Sequence, residues 1–186
     1  MSSPSRRRFL QQSAILAAGA LLPPAVCAET VDPPVIETRE LAFAHLHTSE
    51  QLALAYAIDG EYLPDALLTL DHFLRDHYSG EVGRMDPRLY DVLHNIRRKL
   101  ATDRTIEVIS AYRCPTTNAT LRSTRNGGVA SRSLHMDGKA IDIRIDNIAL
   151  ADLRDAALSL QAGGVGYYPR EQFIHIDTGR VRSWQG

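Results

Sequence analysis

Apolar positions along the chain change period several times, and each change predicts an element. In RELAFAHLHTSEQLALAYAID, residues 39–59, apolar and polar positions alternate around a polar turn at Thr48 to Glu50. That pattern predicts two short strands, with Leu52, Leu54, Tyr56 and Ile58 on one face. The period then lengthens. Leu67, Leu70 and Leu74 form one stripe of a helix predicted over 64–77. Leu89, Leu93, Ile96 and Leu100 do the same over 87–101, with Asp86 as N-cap, Pro87 in the first turn, and Arg97, Arg98 and Lys99 at the end. IEVISAYR, residues 106–113, reads as a strand, followed by a short helix near 116–123. STRNGGVASRS, residues 123–133, is polar and glycine-containing, as expected of a mobile surface loop. A second strand is predicted over 140–145. A helix over 148–160 would be capped by Asn147, bury Leu150, Leu153, Ala157 and Leu160, and stop at Gly163 and Gly164. GVGYY and FIHIDT predict two closing strands joined by a turn at Pro169 to Glu171. Two helices precede most of the strands, and the last strands lie close in sequence. The expected class is α+β, a mainly antiparallel sheet with helices packed on it.

The first 28 residues stand apart. SRRRFL, residues 5–10, is a twin-arginine pattern, and a short apolar run from Ala14 to Leu22 follows it. Pro23 and Pro24 end that run before it is long enough to span a bilayer, and Val26 and Ala28 suit the positions before a cleavage site. The expected organisation is a twin-arginine signal peptide over 1–28 and one domain over 29–186, delivered to the periplasm without a stable membrane anchor. Removing the leader leaves 18 basic against 22 acidic side chains, a balance that argues against general nucleic-acid binding. It also leaves one cysteine, Cys114, so no internal disulfide can form; a buried small side chain is the expectation.

The chemistry is carried by SRSLHMDGKAIDIRI, residues 131–145. AIDIRI alternates like a strand, yet places Asp142 among apolar neighbours. On FIHID, His175 and Asp177 share a face with Phe173, while Ile174 and Ile176 take the other. A buried charge needs a partner or a metal. His135, Asp142 and His175 are three ligands of the kind that catalytic zinc takes, a water holding the fourth position, and Gly138 would let the chain turn between the first two. Taken singly, a histidine on a strand is more often a hydrogen-bonded core residue than a ligand, and an aspartate there more often an edge residue facing water. His45, His47, His72, His77 and His94 read as surface or structural.

Ser133-x-His135-x-x-Gly138-x-Ala140-x-Asp142 is similar to the SxHxxGxAxD motif of the LAS zinc peptidases, the group of lysostaphin, the D-Ala-D-Ala peptidases and sonic hedgehog. The HLHT turn, ISAYRC, SLHMDGKAIDIRI and QAGGVGYYPREQFIHIDTGRVRSW, with the twin-arginine start, resemble the YcbK-like (MepK-like) murein endopeptidases. The resemblance covers nearly all of the chain after the leader. It implies a hedgehog-like fold, a Zn2+ ion on His135, Asp142 and His175, and peptidoglycan stem peptides as substrate. It implies that Arg113 holds the substrate carbonyl or the developing oxyanion. Many of these peptidases carry a Glu three residues, or a His two residues, before the last ligand; Gln172 and Phe173 occupy those positions here, and neither takes a proton. Asp177 is then either the general base or a carboxylate that orients His175, with Glu171 a more distant base. Ser133 caps its loop or approaches the metal. Tyr167 and Tyr168 line a peptide groove or pack, and Trp184 plugs the sheet. The leading expectation is an exported zinc endopeptidase acting on peptidoglycan cross-links. A D,D-carboxypeptidase and a non-catalytic zinc-containing peptidoglycan-binding module are the alternatives.

Overall fold

The computed structural model describes residues 36–124 and 129–186. The expected signal peptide over 1–28, and residues 125–128 of the expected loop, lie outside the described residues. In chain order the elements are β1 (Thr38–His45), β2 (Gln51–Ile58), β3 (Glu61–Tyr62), α1 (Pro64–Phe73), α2 (Arg88–Lys99), β4 (Ile106–Ser110) and α3 (Pro115–Thr124). They continue with β5 (Ala140–Ile145), α4 (Leu150–Ser159), β6 (Gly164–Tyr168), β7 (Phe173–Asp177) and β8 (Arg182–Gln185). The strands form one sheet in the order β3-β2-β1-β4-β5-β7-β6-β8. The pairs β1–β4 and β6–β8 are parallel and the rest antiparallel, so the expected α+β class with a mainly antiparallel sheet is the one found.

One face of the sheet carries the core. Leu41 and Phe43 of β1, Ile106 and Val108 of β4, Ile141 and Ile143 of β5, and Ile174 and Ile176 of β7 are all buried in it. Leu89, Leu93 and Ile96 of α2 and Leu153 of α4 join the same core, as their helical stripe requires. Each such side chain contributes roughly 1.5–3 kcal/mol of transfer free energy. The period of two in β5 and β7 therefore sends Asp142, His175 and Asp177 to the opposite face.

Several local expectations need correction. The first helix ends at Phe73, not residue 77. Ile58 is exposed and Ala57 buried, because a register shift at Arg39/Glu40 against β2 turns the end of that strand over. Asn147 does not cap α4: it sits at φ +58° in the turn before it, and Ala149 holds the cap position without a side-chain hydrogen bond. Gly163 and Gly164 do not stop that helix. Gln161 takes the left-handed conformation at φ +51°, and a Cβ on Gly163 would overlap the carbonyl of Asp177. Asp86 does serve the start of α2: its carboxylate accepts the amide of Arg88 at 3.1 Å, Pro87 already being helical. Cys114 is buried, its sulfur 3.3 Å from the Thr117 hydroxyl.

His45 is structural. It is 1% exposed, and its Nδ1 accepts the amides of His47 (3.2 Å) and Thr48 (3.4 Å), which places its proton on Nε2. The His47 and His77 rings stack beside it at 4.2 Å. Burial, then the neighbouring imidazole of His47, lowers both His45 and His77 to about 4.

Candidate metal centre

Three segments meet on the open face of the sheet. The first is the turn from Leu134 to Lys139, closed by Lys139 N–H donating to the Leu134 carbonyl at 2.9 Å and Gly138 N–H to the His135 carbonyl at 3.3 Å. Gly138 has φ +66°, and a Cβ there would overlap the Arg84 carbonyl, so glycine is required on both counts. Its own carbonyl accepts the amide of Asp86 at 2.8 Å, tying the turn to the start of α2. The turn presents His135, which is 3% exposed. His135 Nδ1–H donates to the Ala111 carbonyl at 2.6 Å, just past the end of β4, and this leaves Nε2 as a lone-pair donor.

The other two segments are β5 and β7, on which Asp142 and His175 are direct cross-strand partners. Asp142 Oδ1 lies 2.9 Å from His175 Nδ1 and 3.3 Å from His135 Nε2, and the two nitrogens are 3.2 Å apart. Among the described residues these three side chains form a set able to hold a metal ion, with all ligand atoms within 4.8 Å. Ligands bound at about 2.0–2.1 Å in a tetrahedron stand roughly 3.4 Å apart, close to this triangle. The donor set, two imidazoles and one carboxylate, has one ligand fewer than the four of a closed structural zinc site.

The electrostatics agree with that fit. Burial pushes Asp142 up, but the His135 and His175 imidazoles outweigh it and hold the carboxyl well below its usual range. Burial lowers His135. Burial also pulls at His175, but hydrogen bonds to Asp142 and Asp177 prevail and hold it up at about 9.

The predicted residues around the triad fall into two groups. Arg113 lines the same cleft of about 470 Å³ as the triad, and its side chain is 11% exposed. It lies 3.3 Å from the Ser110 hydroxyl, 3.5 Å from Asn118 Oδ1 and 4.0 Å from Asp142 Oδ2. Ser133, Glu171, Tyr168 and Trp184 line the cleft too. Tyr168 stacks on Phe173 at 4.6 Å and accepts a hydrogen bond from Trp184 Nε1 at 2.8 Å. Tyr167 points the other way, packs on the core and lies under Arg154. Asp177 is 1% exposed and stands at the far nitrogen of His175, its Oδ2 3.1 Å from Nε2, away from Asp142. Gln172 is exposed at φ +60° and donates to the Pro169 carbonyl. A larger groove of about 830 Å³ runs over β1, β2 and the end of α2, but it is remote from this chemistry.

One participant was not foreseen. Arg182, on the unpredicted strand β8, also lines the cleft and grips Asp177. Its signal was the spacing R-x-W in RVRSW, two residues on one face of a strand, set against G-x-G in GVGYY.

Comparison with known proteins places this geometry in context. The family model described as peptidoglycan L,D-endopeptidase MepK matches residues 34–184. Peptidoglycan L,D-endopeptidase MepK of Escherichia coli K12 is 39% identical over 180 residues, which is 97% of each chain. The probable peptidoglycan L,D-endopeptidase MepK of Haemophilus influenzae is 39% identical over 183 residues, 98% of this chain and 96% of that one. No solved structure matches the chain significantly. A match over nearly the whole length, at this identity, makes the chain a member of the peptidoglycan L,D-endopeptidase MepK family.

Proposed function

We propose that the chain is an exported zinc peptidase that hydrolyses peptide cross-links in peptidoglycan, with the L,D selectivity carried in its relatives' names. The observation that carries the reading is the meeting of His135 Nε2, Asp142 Oδ1 and His175 Nδ1 from three segments on one point of a cleft. Zinc held by these atoms supplies Lewis acidity, lowering the pKa of a coordinated water toward 7 and polarising a carbonyl.

The remaining work belongs to side chains of the cleft. Arg113, anchored by Ser110 and Asn118, holds the scissile carbonyl and the negative charge that grows on its oxygen. The aromatic pair Tyr168 and Phe173 gives the peptide a flat wall to lie against. Asp177 orients His175 and is not the base, since its carboxylate already accepts five hydrogen bonds. Glu171 lines the cleft without a hydrogen-bond or ion-pair partner among the described residues, so its oxygens stay open to take a proton and pass it to the leaving amine.

The leader over 1–28 directs the chain through the twin-arginine route to the periplasm, where the substrate lies. No helix among the described residues is long and apolar enough to cross a membrane. Changing Arg6, Arg7 and Arg8 to lysine retains unprocessed precursor in the cytoplasm if the route is right.

A digest of purified cross-linked muropeptide dimers tests the activity. Release of monomers, lost on chelation and restored by zinc, is the expected result. Release of terminal D-Ala alone would make the protein a carboxypeptidase, and sacculus binding without turnover would make it a binding module. A His175→Ala protein that still cleaved would refute the zinc reading.

A further inference from the structure

The last strand of the sheet reaches the metal centre from two strands away. β8 pairs with β6, Gly164 opposite Arg182 and Gly166 opposite Trp184, and β6 in turn pairs with β7, Gly166 opposite His175. Side chains of β8 and β7 would ordinarily be separated by the side chains of β6. Here two of the three β6 positions on the cleft face, Gly164 and Gly166, are glycines, the third being Tyr168. A Cβ on Gly164 would overlap both the Arg182 guanidinium and the Asp177 carboxylate, and a Cβ on Gly166 would lie 2.7 Å from the Trp184 ring. The bare backbone lets Arg182 and Trp184 lie across β6 onto Asp177 and His175.

The contacts made through that gap are specific. Arg182 grips both oxygens of Asp177, NH2 to Oδ2 at 2.6 Å and NH1 to Oδ1 at 3.0 Å. The Gly164 and Gly179 amides complete the Oδ1 shell at 3.0 and 2.8 Å. Asp177 Oδ2 is left facing His175 Nε2 at 3.1 Å. The Trp184 ring stands 5.2 Å from the His175 ring and 4.9 Å from the Arg182 guanidinium, filling the space between them.

We propose that Arg182 is a positioning residue of the metal centre: its two-pronged hold on Asp177 fixes the His175 ring with Nε2 turned outward and Nδ1 turned to the ligand point. This rests on the zinc reading above. A guanidinium does this better than an ammonium, because two parallel N–H bonds set the rotation of the carboxylate as well as its distance. With Arg182 removed, the Asp177 carboxylate keeps its backbone partners but loses the constraint that directs Oδ2 at Nε2. The ring then samples orientations and a tautomer in which Nδ1 is not a lone-pair donor.

The test is zinc affinity of the full-length processed protein, measured by competition with a chromophoric chelator. Arg182→Gln should weaken binding about 10–100-fold, the usual effect of losing a partner behind a ligating histidine. Arg182→Lys should fall between, and Arg144→Gln, which breaks an ion pair with Glu107 elsewhere on the sheet, should bind like the parent. A Co2+-loaded Arg182→Gln protein should show an altered visible spectrum. Parental affinity and spectrum in Arg182→Gln would overturn the proposal. So would an equal loss of thermal stability with and without zinc, which is the mark of a purely structural role. If Arg182→Gln does not fold, the Arg182→Lys affinity decides, and parental binding there refutes the two-pronged argument. A parent protein that takes up no zinc overturns the metal reading and this inference together.

Discussion

Acidification should destabilise the fold through two imidazoles outside the candidate ligand set. His45 and His77 ordinarily titrate near 6.5 in an unfolded chain, but the native structure lowers both to about 4. As pH falls below 6.5 the unfolded chain takes up protons first, so stability present above 6.5 is lost progressively down to 4. At pH 5 the unscreened linkage is about 2 kcal/mol per imidazole. His45 is buried, but His77 is partly open to solvent and stacks on His47, so halving the sum for screening leaves about 2 kcal/mol in all. Urea unfolding at pH 7.5 and pH 5.0, with chelator throughout, would measure it in the parent and in a His45→Gln/His77→Gln double variant. The chelator and the variant pairing cancel the triad and the carboxylates common to both. The parent should lose about 2 kcal/mol more than the variant between the two pH values. Equal losses, to within about 0.5 kcal/mol, would refute the assignment of buried neutral imidazoles.

Other expectations bear on the cleft. Zinc at 100 times its dissociation constant should stabilise the protein by about 2.7 kcal/mol, read as a rise in thermal midpoint that His175→Ala abolishes. Arg113→Ala should lower kcat on a muropeptide dimer by about 10²–10³, with KM less affected, if the guanidinium serves the developing oxyanion. Glu171→Gln should lower kcat while leaving zinc affinity as it was; an unchanged kcat would exclude Glu171 as the base. Gly163→Ala should cost about 1–3 kcal/mol in urea unfolding, because the added methyl meets the Asp177 carbonyl on the neighbouring strand.

The candidate ligand cluster was legible because two of its members break a rule. A carboxylate in AIDIRI and an imidazole in FIHID both interrupt apolar alternation, and each interruption marks a side chain sent to the cleft face. The core stripe of α2 was legible for the complementary reason, since Leu89, Leu93 and Ile96 obey the helical period and are buried. β8 was not legible. It is four residues long, half of its positions face solvent, and its parallel partner β6 is 18 residues upstream in register. Gly163 and Gly164 were misread for a related reason. A glycine after a helix looks like a stop, whereas here the missing side chains make room for β7 and β8, a need set by residues distant in sequence. The role of Asp177 was ambiguous in the sequence because a base and an orienting carboxylate have the same side chain; its five hydrogen bonds, set by distant residues, are what favours the orienting role proposed above.

Because Asp142 and His175 face each other across one antiparallel ladder, the centre doubles as a gauge of correct assembly. A slip of one residue between β5 and β7 would turn one of the two toward the helices and scatter the donors. If the proposed ligand set holds an ion, a chain that has refolded in the wrong alignment would fail to retain it, and metal content after renaturation would count the molecules whose central strands have come together properly.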